Sequence, residues 1–156
     1  MSQKKEDLPE FHKKTAIGCF NKAWDFLDKK KRSSNEDLQM LLEAHTSRYH
    51  WARLNKPYNF AIGDWQISRV YAALKQPSLA LLFAKSSLDT CKKNDLKELL
   101  LSAYEGMSRA HAVAKQTKEA QRYLELARKH LEFVRDDEDR KIYSQQIAET
   151  EALIKE

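Results

Sequence analysis

Ser68-Arg69-Val70-Tyr71-Ala72-Ala73-Leu74-Lys75-Gln76 and Ser108-Arg109-Ala110-His111-Ala112-Val113-Ala114-Lys115-Gln116 are two versions of one phrase, 40 residues apart. The same offset aligns Ala80 with Ala120, Phe83 with Tyr123, Ala84 with Leu124, Ser87 with Ala127 and Cys91 with Leu131. Another step back lands on Met40, Ala44, Ser47 and Trp51. Steps of 4, 3 and 4 residues keep such positions on one face of an α-helix. Self-similarity at this period marks an array of helical hairpins, in which each unit leaves an apolar face for the next to cover. The expected fold is all-α: a right-handed α-α superhelix of three antiparallel helical hairpins plus a C-terminal capping helix. Residues 8–156 form its single domain and residues 1–7 a charged, frayed N-terminus.

Composition agrees. The 156 residues include only 3 Gly and 3 Pro, with no Asn-Gly, Asp-Gly or Gly-Gly pair for a tight hairpin turn and no glycine pair close enough for a phosphate loop. Hydrophobic residues make up 42% and charged residues 33%, which suits helices with one apolar and one solvated face. Seven helices are expected, at about 9–31, 34–54, 57–74, 78–93, 95–115, 117–135 and 137–155. Pro9, Pro57 and Pro77 stand near helix starts. Ser34 to Asp37 and Asp95 to Glu98 read as capping boxes, Thr117 as a cap, and the Asp136–Asp139 run as anions at a helix N-terminus. Phe11, Ile17, Phe20, Trp24 and Leu27 form the apolar stripe of the first helix. Leu38, Leu41, Leu42, Ala44, Tyr49 and Ala52 are burial candidates in the second. Trp24 lies near the place that Trp65 holds one unit later.

The chain carries a net charge of +5, and its densest basic run, Lys29-Lys30-Lys31-Arg32, falls at an expected helix C-terminus, where cations complement the dipole. Nucleic-acid contact is not expected, since no recognition motif accompanies the charge. Cys19 and Cys91 fall on apolar stripes, as reduced thiols in a cytoplasmic protein would. The opening Met1–Phe11 stretch has no apolar core for a signal peptide. No apolar run approaches the roughly 18 residues a membrane span needs, so no membrane association is expected.

The third and fourth helices resemble a tetratricopeptide repeat, as do the fifth and sixth. Ser68, Tyr71, Ala80, Ala84 and Ser87 fill that family's small and aromatic positions in one unit; Ser108, His111, Ala120, Leu124 and Ala127 fill them in the next. The likeness spans residues 57–135. It departs in the turn, where Gln76 and Gln116 replace a glycine, in the missing closing proline, and in a unit longer than the family's 34 residues. The resemblance implies a concave groove lined by the first helix of each hairpin. Trp65, Arg69, Glu105 and Arg109 would then face it, and the two arginines would stack on neighbouring turns. Such a pair suits a carboxylate or phosphate. The competing assignment is local: Trp65–Arg69 as a cation–π pair and Glu105–Arg109 as an ion pair.

Chemistry finds less purchase. The five histidines, His12, His45, His50, His111 and His130, include no HExxH, and the cysteines lack zinc spacing, so neither metal nor cofactor is expected. His45 and His50 lie about 140° apart around their helix, too far for joint ligation. His111 stands where the repeat packs an aromatic. Ser68 and Ser108 sit mid-helix without the turn of a nucleophile elbow. The expected function is therefore non-enzymatic: a module that binds a protein or peptide, in particular an acidic one, through its concave face. Alanine at both Arg69 and Arg109 is expected to abolish binding while sparing the fold. Two alternatives are a small-molecule or catalytic pocket built from His45, Arg48, Tyr49 and Trp65, and a homodimeric structural module.

Overall fold

The computed structural model describes residues 7–156. The expected frayed terminus falls on residues 1–6, outside the described residues, and on Asp7, which stands at the N-cap position of the first helix without a side-chain capping bond. The described residues form seven α-helices and no strand: α1 Leu8–Leu27, α2 Ser34–Arg53, α3 Pro57–Ala73, α4 Pro77–Lys93, α5 Leu100–Val113, α6 Thr117–Leu131 and α7 Asp137–Ile154, with a 3-10 turn at Lys97–Leu99. Helices pack in consecutive pairs, α1 with α2, α3 with α4 and α5 with α6. The even helix of each of the first two pairs abuts the next odd helix, and α1, α3 and α5 touch in series. Helix α7 lies on α5 and α6.

The junctions explain how a chain with 3 glycines turns so often. Asn55, Lys75, Asp95 and Lys115 all have positive φ, and they recur every 20 residues. At three of them the two hydrogen bonds of a Schellman motif close the helix; Gln76 N–H bonds the Tyr71 carbonyl at 2.9 Å while Lys75 N–H bonds Ala72 at 3.1 Å. The residue in the left-handed position is thus Lys75 or Lys115, not the glutamine after it. A lysine there costs about 1 kcal/mol, whereas Asn55 and Asp95 are of the types that tolerate the left-handed region.

Several ends differ from the sequence reading. Helix α1 stops at Leu27, not Lys31, because the basic run folds back: Arg32 donates to the Phe26 carbonyl at 3.3 Å and to Asp37 at 2.7 Å, and Lys29 pairs with Glu36. The capping box of α2 is Ser33–Glu36, one residue before the expected one. Asp95 takes the left-handed position, so α5 starts late, behind the 3-10 turn. Thr117 is already helical, with Gln116 as an N-cap that makes no side-chain bond. Helix α6 ends at Leu131, where Arg140 of α7 donates to the Leu131 and Val134 carbonyls. Asp136 caps α7 through the Asp139 amide.

Small residues carry most of the contact between α1 and α2. Ala16, Ala23, Met40, Ala44 and Ser47 are the buried residues of α1 and α2. Phe11, Ile17, Leu38, Leu42 and Tyr49, expected inside, are exposed. Four buried serines bond across helix pairs: Ser68 to the Ala80 carbonyl, Ser108 to Ala120, Ser47 to Ala16 and Ser87 to Ala61, at 2.7–2.8 Å. The first two repeat at 40 residues on both sides. The last two repeat at 40 for the donors but 45 for the acceptors, so α1 is shifted by five residues against the later odd helices. The longer α1–α2 connection absorbs the difference. Trp24 therefore corresponds to Arg69, and Phe20 to Trp65, which corrects the expected Trp24–Trp65 equivalence.

Candidate functional site

Arg69 on α3 and Arg109 on α5 do converge, and the repeat is the reason. Both reach Glu105, which is 0% exposed: Arg109 Nε donates to its Oε1 at 2.9 Å, and Arg69 Nη1 lies 3.6 Å from its Oε2. Helix α7 completes the cluster. Thr150 Oγ1 donates to Glu105 Oε1 at 2.5 Å, and Glu149 Oε2 lies 3.3 Å from Arg69 and 3.6 Å from Arg109. Arg109 also reaches the Gln146 carbonyl at 3.5 Å. The arginine side chains are only 10% and 12% exposed, whereas Glu149 is 46% exposed. Burial pushes the Glu105 carboxyl up, but Arg109, then Arg69, and the bonds from Thr150 and Arg109 outweigh it and hold the carboxyl below its ordinary range. Burial, and then the like charge of Arg109, draw Arg69 down from its ordinary value. An arginine starts high enough to stay cationic.

Both local pairings expected from sequence are present together with the convergence. Glu105–Arg109 is an ion pair, and the Arg69 guanidinium sits 5.8 Å from the Trp65 ring and 5.0 Å from the Trp24 ring. The two indoles lie 5.6 Å apart, tilted by 46°. Trp65 fits because its neighbour on α5 is Gly106; a Cβ there would stand 3.1 Å from the indole Cδ1.

Around this cluster opens a cleft of about 840 Å³ between the C-terminal ends of α1, α3 and α5 and the face of α7. Arg69, Arg109, Lys29, Lys30 and Lys75 line it with Asp28 and Glu149; the arginines share Glu105 and Glu149, and Lys29 pairs with Glu36, which leaves Lys30 and Lys75 against Asp28. A second cavity, of about 280 Å³, adjoins it; Trp24, Ile142 and Gln146 line both. Five aromatic residues stand among its lining: Phe20, Trp24, Tyr58, Trp65 and Tyr143.

The alternative set is dispersed. His45 bonds the Tyr71 hydroxyl at 2.9 Å and stands edge-on to the stacked Tyr71 and Phe83 rings. Burial lowers its pKa, against the pull of Asp64. Arg48 is bound by Asp64 at 2.7 Å and lies over Phe60; Ser86 holds the other oxygen of Asp64. Gly63 makes room for Arg48, whose Cδ a Cβ would meet at 2.6 Å. Tyr49 is exposed, and Trp65 faces α1 and α5. His111 stacks on Tyr123, as a packing aromatic would. His50 pairs with His12 of α1, Nδ1 to Nδ1 at 2.8 Å, a contact that spacing within one helix cannot reveal. Burial pushes the Cys19 and Cys91 thiols up to about 11, so both are protonated near neutrality. Among the described residues, no three of His, Cys, Asp and Glu gather as a metal ion would require, and no helix is long and apolar enough to cross a membrane.

Sequence reasoning missed the α7 contribution, Gln146, Glu149 and Thr150, and the place of Trp24 and the lysines of the rim. The five-residue shift of α1 would have found Trp24. Helix α7 lies outside the repeat, so no equivalence points to its residues. No family model, curated protein or solved structure matches this chain.

Proposed function

We propose that this chain is a non-enzymatic protein- or peptide-binding module. In this reading it is a tetratricopeptide-like, right-handed superhelix of three antiparallel hairpins capped by α7, at work in the cytoplasm. Its concave side is the cleft between α1, α3, α5 and α7, and the ligand is an acidic segment. The charge of the cleft carries the reading: beyond the arginines and Lys29, which have acid partners, Lys30 and Lys75 stand against the single Asp28 at a space of about 840 Å³. Complementary charge steers encounter and sets register more than it sets affinity, so binding should weaken with salt.

The arginines cannot test this, because they hold Glu105 inside the protein. Lys30 and Lys75 can, as both line the cleft and are exposed. The experiment is a titration of an acidic pentapeptide, Asp-Glu-Phe-Glu-Asp, followed by tryptophan fluorescence at low salt. Lys30→Glu with Lys75→Glu should lower affinity at least tenfold with the helical circular dichroism unchanged. An affinity within twofold of the parent, or no binding to the parent at all, would remove the acidic-segment reading.

A further inference from the structure

We infer that the cleft ends in a subsite for one aromatic side chain, so that the segment it takes carries a Phe, Tyr or Trp directly beside its acids. This rests on the cleft reading above and specifies its ligand. The two cavities are neighbours, not separate sites, because Trp24, Ile142 and Gln146 are walls of both. One side of that wall is cationic and the other aromatic. Arg69 ties them: its guanidinium lies 5.0 Å from Trp24 and 5.8 Å from Trp65, the rings that line the apolar cavity.

The walls argue for a ring. Phe20 and Trp24 meet edge to face at 6.5 Å and 67°, and Trp24 and Trp65 lie tilted at 5.6 Å and 46°. A further ring gains from such edges and faces beyond its area burial, which a branched aliphatic group does not. The cavity volume of about 280 Å³ suits one side chain, not a stretch of chain. Its rings come from α1, α3 and α7, with smaller residues of α4 and α5 between them, among them Ser87 and Ser102. The ring is thus admitted only where α7 closes over the first three odd helices, and a carboxylate flanking it meets Arg69, Arg109 and the lysine rim.

The test compares Asp-Glu-Phe-Glu-Asp with Asp-Glu-Ala-Glu-Asp on the full chain by isothermal titration. The Phe peptide should bind at least tenfold tighter. Ile62→Trp, a substitution at a partly buried position that lines the smaller cavity but not the cleft, should erase that difference and leave the affinity for the Ala peptide unchanged. Tyr58→Ala, which trims the wall instead, should narrow the difference in the same direction. Lys30→Glu with Lys75→Glu should weaken both peptides alike. Equal affinity for the two peptides sinks the aromatic subsite and spares the acidic cleft; binding of neither sinks the cleft reading itself. The competing occupant is a second copy of this chain, since Phe133 is 77% exposed beside Glu132 and the Asp136–Asp139 run. Concentration-dependent dimerisation in gel filtration that Phe133→Ser abolishes would overturn the assignment to a separate partner, and a monomer at all concentrations supports it.

Discussion

Removing Glu105 should be the most damaging single change in the cleft, and its cost follows from the geometry. The carboxylate is fully buried, accepts from Arg109 at 2.9 Å and from Thr150 at 2.5 Å, and lies 3.6 Å from Arg69. In Glu105→Ala the two guanidiniums, about nine-tenths buried, face each other with only the half-exposed Glu149 between them. Breaking a buried pair from one side typically costs 3–5 kcal/mol, because the remaining charge is left uncompensated. For a chain of this length each kcal/mol lowers Tm by about 2–4 °C. The expected fall is therefore roughly 6–20 °C, a large share of a total stability on the order of 5–15 kcal/mol. Thermal and urea unfolding followed by circular dichroism would measure it. Glu105→Gln, which keeps the shape, separates charge from packing and should lose most of the same stability. The pH dependence gives a second readout. Glu105 has its folded pKa below the unfolded value of about 4.3. Its contribution is then complete above that pH and fades as pH falls through the folded pKa. The gap between parent and Glu105→Gln should hold from pH 7 to 5 and close below about pH 4. If both variants unfold within about 1 kcal/mol of the parent at pH 7, the cluster does not stabilise the fold as argued.

Other perturbations separate the roles of neighbouring residues. Glu149→Gln removes the acid that stands 3.3 Å from Arg69 inside the cleft, so affinity for the acidic pentapeptide should rise several-fold in the same titration; an unchanged or weaker affinity would show that Glu149 does not compete with ligand. Gly18→Ala meets nothing within 4 Å and should stabilise α1 by about 1 kcal/mol. Gly63→Ala places a Cβ 2.6 Å from Arg48 Cδ and should instead destabilise by about 1–3 kcal/mol, both read from urea midpoints. His50 has its folded pKa lowered, first by burial and then by His12, so its part of the stability is complete above about pH 6.5 and is lost as pH falls toward the folded value. His50→Phe should flatten the drop of Tm between pH 7 and 5, and a parallel slope in both proteins would assign the pH effect elsewhere.

The parts of this structure legible in sequence are those a repeat or a single helix dictates. The 40-residue phrase places Arg69 and Arg109 together, and i, i+4 spacing pairs each with its local partner. Burial was read less well in α1 and α2, where Leu38, Leu42 and Tyr49 look like core by their size. Their helices meet instead through Ala16, Ala23, Met40, Ala44 and Ser47; the short side chains among these allow close approach, and a serine can bond a facing carbonyl. What α7 does was not legible at all. It stands outside the repeat, and two adjacent residues of it settle how the arginines are used. Thr150 is fully buried and bonds Glu105; Glu149, a helical step of about 100° further round, stays half-exposed in the cleft. Alanine at Arg69 and Arg109 would leave Glu105 buried without a counter-ion, so the expectation that this pair could be deleted without harm to the fold gives way to its opposite. The arginines form the floor of the cleft. On the proposed reading, discrimination between ligands then falls to groups that can change without unfolding the protein: the lysines of the rim, Glu149, and the rings of the adjoining cavity.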